Sequence, residues 1–276
     1  MKIFLAAAES YCKESIKSGY KNLFTTFYIE KKAIELINLA DGNRNITVDS
    51  GAHSFLSQRL KNAASSIKAA VSAKTDNRNL DNYVDKYCEF IKKYKDKVNY
   101  FVELDIDVLI GMEKLLEIRK KLYDVAGKQL IVCYHSTMGA WKENRDELFK
   151  YDYIALQGIP PGGKPELNYM EVLMDCYNNK KKVHIFAMTK KKFLSNYPVY
   201  STDSTSWQSL LRFGKSTIKL RKGLMKDFYS YSMRSKNVNF QRFITEETKE
   251  WEKLGDYLTR LWKIRGIDWE SRVKYE

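Results

Sequence analysis

The chain has 276 residues, enough for one large core, and its 44% hydrophobic and 30% charged residues with only 4 prolines exclude a disordered, collagen-like or low-complexity chain. Its 48 Lys and Arg against 34 Asp and Glu leave a net charge of +14, which favours a polyanionic partner and makes nucleic acid the leading expectation over a merely solubilising charge. No apolar run nears a membrane-spanning length, and Met1 to Ala8 is too short and too soon followed by Glu9 for a signal peptide, so no membrane partner and a cytoplasmic location are expected.

Taken in chain order, short runs rich in β-branched and aromatic residues alternate with helical patterns. The expected strands are Lys2–Ala6, Leu23–Tyr28, Ile46–Asp49, Tyr100–Asp105, Gln129–His135, Tyr153–Gln157, Val183–Met188 and Val199–Asp203. Between them, Glu30–Ala40, Leu80–Tyr94, Met112–Val125, Ala140–Tyr151, Glu166–Tyr177 and Trp207–Phe213 carry apolar residues three and four apart, as helices packed outside a sheet do. Eight alternations predict a single (β/α)8 barrel, with a doubly wound open sheet as the alternative. Ser57–Asn79 breaks the rhythm with Arg59, Lys61, Lys68, Lys74 and Arg78, and reads as a basic insertion after the third strand. After Phe213 the pattern is irregular and basic until Glu246–Ile264, an amphipathic helix; the division expected is a barrel core over 1–213 and a basic C-terminal helical extension over 214–276. Cys12, Cys88, Cys133 and Cys176 are too scattered for a metal knuckle or a disulfide scaffold and are expected to be reduced. No metal or other cofactor is expected.

Barrel enzymes work at the face formed by the C-terminal ends of their strands, so polar residues there are informative. Here those ends read Asp49-Ser50-Gly51-Ala52-His53, Glu103-Leu104-Asp105-Ile106-Asp107, His135, Gln157-Gly158 and Asp203-Ser204-Thr205. Any one of these aspartates could simply end a strand and cap the next helix. Several around one mouth, on a basic chain, suit chemistry at an anomeric carbon: one carboxylate traps or stabilises an oxocarbenium-like state while another handles a proton. Basic clusters at Lys190, Lys191 and Lys192 and at Lys215, Lys219, Arg221 and Lys222 are candidate nucleic-acid contacts.

Three segments in register, Val48-Asp49-Ser50-Gly51-Ala52, Ile154-Ala155-Leu156-Gln157-Gly158-Ile159 and Tyr200-Ser201-Thr202-Asp203-Ser204, resemble the queuine-type transglycosylases, the tRNA-guanine transglycosylases and their DNA-acting relatives. The similarity runs from about Lys2 to Phe213, and the compact length looks closest to the phage-type 7-deazaguanine DNA transglycosylases. The resemblance implies that Asp203 is the nucleophile and Asp49 the general acid/base. It implies further that Asp105 or Asp107 reads the base edge, with Ser50, Gly51, Gln157 and Gly158 around the base. His184 and Met188 would line its pocket, unless His184 is a core histidine. The tRNA enzymes carry a zinc site of clustered cysteines beyond the nucleophile strand; no cysteine follows Cys176 here, which shifts the expected substrate from tRNA to DNA and the incoming base to a 7-deazaguanine such as the cyano or aminomethyl form. A tRNA substrate and a catalytically inactive nucleic-acid-binding barrel are the alternatives.

Overall fold

The computed structural model describes residues 1–52, 54, 77–135, 139–158, 167–209, 212, 215–221, 224–229 and 240–273, with backbone alone over 77–78, 215–221, 224–229 and at 240. Eight parallel strands close into a barrel: β1 (Lys2–Leu5), β2 (Asn22–Thr26), β3 (Asn45–Asp49), β4 (Tyr100–Val102), β5 (Leu130–Cys133), β6 (Tyr153–Leu156), β7 (Lys182–Ile185) and β8 (Ser201–Ser204). Closure is settled by β1 against β8, where Lys2 to Leu5 pair with Ser201 to Ser204 in unbroken register. The open-sheet alternative is thereby removed.

Helices α1 (Cys12–Lys17), α2 (Glu30–Leu39), α3 (Asn77–Tyr94), α4 (Asp107–Ala126), α5 (Trp141–Leu148), α6 (Tyr169–Asn178) and α7 (Lys191–Asn196) follow β1 to β7 in turn. In α3, Leu80, Val84, Tyr87, Ile91 and Tyr94 are buried at helical spacing, which presses one stripe on the barrel and leaves the lysines outside. The expected strands are all present, most of them shorter than expected; α4 begins five residues before the expected Met112 because it consists of a short first turn and the main helix, joined across a kink at Gly111, whose φ 76 and ψ 165 are not helical. The short α1 and α7, and the antiparallel hairpin β9 (Lys215–Arg221) and β10 (Leu224–Tyr229), were not expected from the sequence.

The C-terminal helix α8 (Phe240–Ile264) packs against α1 and α7, in the slot that an eighth barrel helix occupies. Ile244, Trp251, Leu254, Leu258 and Trp262 form its buried stripe, and Trp262 donates its indole N–H to the Leu194 carbonyl at 2.9 Å. A last turn, α9 (Trp269–Val273), adds Trp269, whose indole N–H reaches the Pro198 carbonyl. The C-terminal part of the chain is therefore integral to the barrel wall. All four cysteines are buried free thiols, and among the described residues no helix is long and apolar enough to cross a membrane. Most of the basic insertion (57–76), together with His53, Phe213 and Lys222, lies outside the described residues.

Candidate active site

Strand residues alternate between the barrel interior and its wall, and ring contacts identify the inner set. Phe24 on β2 stacks on His184 of β7 at 5.7 Å, and Phe4 on β1 meets the same ring edge-on at 6.2 Å. Since β2 and β7 are not neighbours, these contacts cross the interior. Thr47 pairs with Phe24 and Asp203 with Phe4, so Thr47, Asp49 two residues on, and Asp203 face inward as well. Asp49 and Asp203 thus stand at the C-terminal ends of β3 and β8, separated along the wall by β2 and β1.

Asp49 keeps a partial opening to the mouth and is otherwise enclosed by protein. Burial pushes its carboxyl up to about 7, with the negative charges of Asp203, Asp105 and Glu9 acting in the same direction and the Gly51 N–H, 3.1 Å from Oδ2, acting against them. Gly51 is needed for that turn: it sits at φ 77, and a Cβ there would lie 2.5 Å from the Tyr28 Cβ. Ser50 is turned away from the mouth, fully buried, with its hydroxyl on the Glu103 carbonyl at 2.9 Å. The Ser50 side chain thus supports the Asp49 turn. From α3, the Tyr83 hydroxyl donates to the Ser50 carbonyl and the Tyr87 hydroxyl lies within 3.2 Å of the Val48 and Val102 carbonyls, so the helix after the insertion holds these strand ends in place.

Asp203 is held by one oxygen. Its Oδ1 accepts the His184 Nε2–H at 3.1 Å and the Ala187 backbone N–H at 2.9 Å, while Oδ2 has no hydrogen-bond partner among the described residues. Ala187 takes a left-handed conformation, φ 51, to aim that N–H, a local strain of the kind found where backbone is shaped for a site. Gly158 lets the β6 loop approach: a Cβ there would lie 2.5 Å from the Phe186 carbonyl. His184 and Met188 are both buried, His184 beneath Asp203 and Met188 with its carbonyl accepting from the Thr202 hydroxyl at 2.7 Å.

Asp105 and Asp107 have separate surroundings. The Asp105 side chain is 32% exposed at the mouth and accepts from the Gln157 amide at 3.1 Å, whereas Asp107 is buried. Both aspartates lie against Nδ1 of His135, at 2.9 and 3.0 Å, and Nε2 of that ring faces Glu103 at 3.2 Å. Burial works against a charged His135, but the hydrogen bonds to Asp105, Asp107 and Glu103 outweigh it and hold the imidazolium up to about 11. Glu103 in turn carries a two-pronged ion pair with Arg119 at 2.7 and 2.8 Å. Burial disfavours its charge, yet Arg119 and His135 hold its carboxyl below the usual range. One atom each from Asp105, Asp107 and His135 lie within 4.8 Å of one another, close enough to share a cation, a grouping that no spacing in the sequence signals. The Glu103–Arg119–His135 network was missed as well, because Arg119 sits mid-helix, 16 residues from its partner, without a motif.

Removing one member of this buried network leaves an uncompensated charge. Arg119→Leu is expected to cost about 3–5 kcal/mol of unfolding free energy; urea unfolding checks it, and a loss under about 1 kcal/mol would contradict the reading of Glu103 as ion-paired.

Lys190, at the end of the β7–α7 connection, and Lys192, in the first turn of α7, are exposed, and Lys191 lies over the Tyr257 ring at 5.0 Å. Lys215 and Arg221 belong to β9, in the connection that leaves β8.

No family model and no curated protein matches the chain. Three solved structures share its general course: D-psicose 3-epimerase from Clostridium cellulolyticum H10 (12% identity over 94% of this chain and 99% of that one, TM-score 0.48), 3,6-anhydro-D-galactonate cycloisomerase from Zobellia galactanivorans (13%, 82% and 59%, TM-score 0.43) and a Sinorhizobium meliloti protein (9%, 74% and 50%, TM-score 0.45), of which the chain spans half the length.

Proposed function

We propose that the protein is a transglycosylase that exchanges guanine in DNA for a 7-deazaguanine base through a covalent aspartyl–sugar intermediate. The observation that carries this reading is the unequal pair of acids at one mouth: Asp203 with one oxygen pinned and the other open, and Asp49 near 7, able both to give and to take a proton at neutral pH.

In this mechanism Oδ2 of Asp203 attacks C1′ of a flipped deoxyguanosine, the C1′–N9 bond breaks, and Asp49 supplies the proton that the departing guanine takes up. The incoming base then loses its proton to Asp49 and attacks C1′ from the vacated side, displacing Asp203. Two inversions give net retention, and both carboxyls return to their starting states. Asp105, partly exposed and bridged to Gln157, is the acid placed to accept from the ring N–H and amino group of a guanine edge; Asp107, which also meets His135 but is buried, is not. The residues described need no cofactor for these steps.

The exposed Lys190 and Lys192 fit contact with phosphates. The double variant Lys190→Ala with Lys192→Ala is expected to weaken DNA binding and to lower the slope of log affinity against log salt by about one unit for each phosphate no longer neutralised. A titration at several salt concentrations checks this; an unchanged slope would place the DNA elsewhere. The function itself is tested by incubating the folded protein with duplex DNA, labelled guanine and 7-deazaguanine acceptors, with tRNA in competition. Incorporation into DNA supports the proposal. Incorporation into tRNA alone favours the tRNA reading, and binding without incorporation the inactive barrel.

A further inference from the structure

Below Asp203 a line of buried polar groups runs toward the opposite end of the barrel. The Tyr153 hydroxyl of β6 is hydrogen-bonded to the Ser201 hydroxyl of β8, Ser201 Oγ lies 2.7 Å from Nδ1 of His184, and Nε2 of that ring lies 3.1 Å from Oδ1 of Asp203. Tyr153, Ser201 and His184 are all at or below 1% exposure, so no solvent completes their hydrogen bonding.

We propose that His184 is a positioning residue for Asp203, held as the neutral Nε2–H tautomer by a one-way chain of donors, Tyr153 to Ser201 to His184 to Asp203, which fixes Oδ1 as the bound oxygen and leaves Oδ2 to react. The direction follows from counting donors. A carboxylate only accepts, so Nε2 carries a hydrogen. If Nδ1 is bare it accepts from Ser201, Ser201 accepts from Tyr153, and every donor in the line is used. If Nδ1 also carries a hydrogen, Ser201 must accept from it, and the hydroxyl hydrogens of Tyr153 and Ser201 are left with the one bond between those two oxygens. One of those two O–H groups then has no partner among the described residues, and a buried donor left unmet bears the full cost of its desolvation. Burial drives the Tyr153 phenol well above its ordinary range, so it remains a donor. Stacking on Phe24 and the edge contacts of Phe4 and Phe186 keep the imidazole plane aligned with this line. With two donors on Oδ1, electron density for attack is left on Oδ2, and the carboxylate cannot rotate to exchange the two oxygens without breaking both bonds.

What Oδ2 attacks rests on the transglycosylase reading; the hydrogen-bond direction does not, and the experiment separates them. The chain has three histidines, His53, His135 and His184, so nitrogen-15 NMR of the full protein labelled at histidine is simple to assign, with His184→Gln identifying the His184 signals. The expected result at neutral pH is a protonated Nε2 and a bare, hydrogen-bonded Nδ1; two protonated nitrogens, or the opposite tautomer, would overturn the chain. In exchange assays Ser201→Ala, a small change that keeps the fold, is expected to lower kcat about 10–100-fold with KM unchanged. His184→Gln, which retains an N–H donor, should keep about tenfold more activity than His184→Leu. Wild-type kcat in both Ser201→Ala and His184→Leu overturns the positioning role. A wild type with the expected tautomer but no exchange counts against the transglycosylase reading alone.

Discussion

Asp203→Asn is expected to lower base exchange by about 10⁴-fold or more while DNA binding stays within a few-fold of wild type. The amide keeps the shape of the side chain and can still accept from His184 and Ala187 through its oxygen, so folding and the mouth are preserved. What it loses is the open carboxylate oxygen that would bond to C1′. The comparison is of single-turnover exchange rates with DNA affinity measured on the same preparation. If the variant exchanges at more than about a hundredth of the wild-type rate, another group makes the bond to sugar.

Asp49→Asn carries the second large effect, and it moves two quantities in opposite directions. Exchange should fall by about 10²–10⁴-fold, since the amide can neither give nor take a proton. Stability should rise. A carboxyl that titrates at 3.8 in the unfolded chain and near 7 in the folded one binds more protons when folded, so its penalty grows as pH rises from about 4 to 7 and is complete above that. Removing the carboxyl removes the penalty, on the order of 2–4 kcal/mol above neutrality and little near pH 4. Urea unfolding at two pH values reads this directly; equal stabilisation at both would show that burial does not raise the Asp49 carboxyl. His135 adds to the same slope at higher pH: its imidazolium, raised from 6.5 to about 11, stabilises the fold fully below 6.5, and that contribution is lost as pH climbs through 11.

The barrel was legible because most strands are short apolar runs, several ending in a polar residue as in Ile46-Thr47-Val48-Asp49, and because the helices between keep a clear stripe. Elements shorter than two turns, such as Cys12–Lys17 and Lys191–Asn196, present too few residues for periodicity to register, and the hairpin's lysines masked its alternation. The acids Asp49 and Asp203 were legible for the same reason as the strands: they sit where strands end. Which way a neighbouring residue faces was not. The resemblance put Ser50 and His184 around the base; in the fold the Ser50 hydroxyl turns back to the Glu103 carbonyl and His184 is buried beneath Asp203. Nor could sequence choose between Asp105 and Asp107, two residues apart, since only the fold brings His135 and Gln157 to one or both.

The covalent intermediate is the point on which the account stands, and intact-protein mass spectrometry addresses it. A short DNA duplex containing guanine is incubated with the protein in the absence of any acceptor base, and the mixture is denatured before weighing. The expected species has the mass of the chain plus one DNA strand less one guanine, is absent in Asp203→Asn, and disappears when guanine is added before denaturation. Folded wild-type protein that gives no such species, and exchanges no labelled guanine, would contradict the proposed role of Asp203.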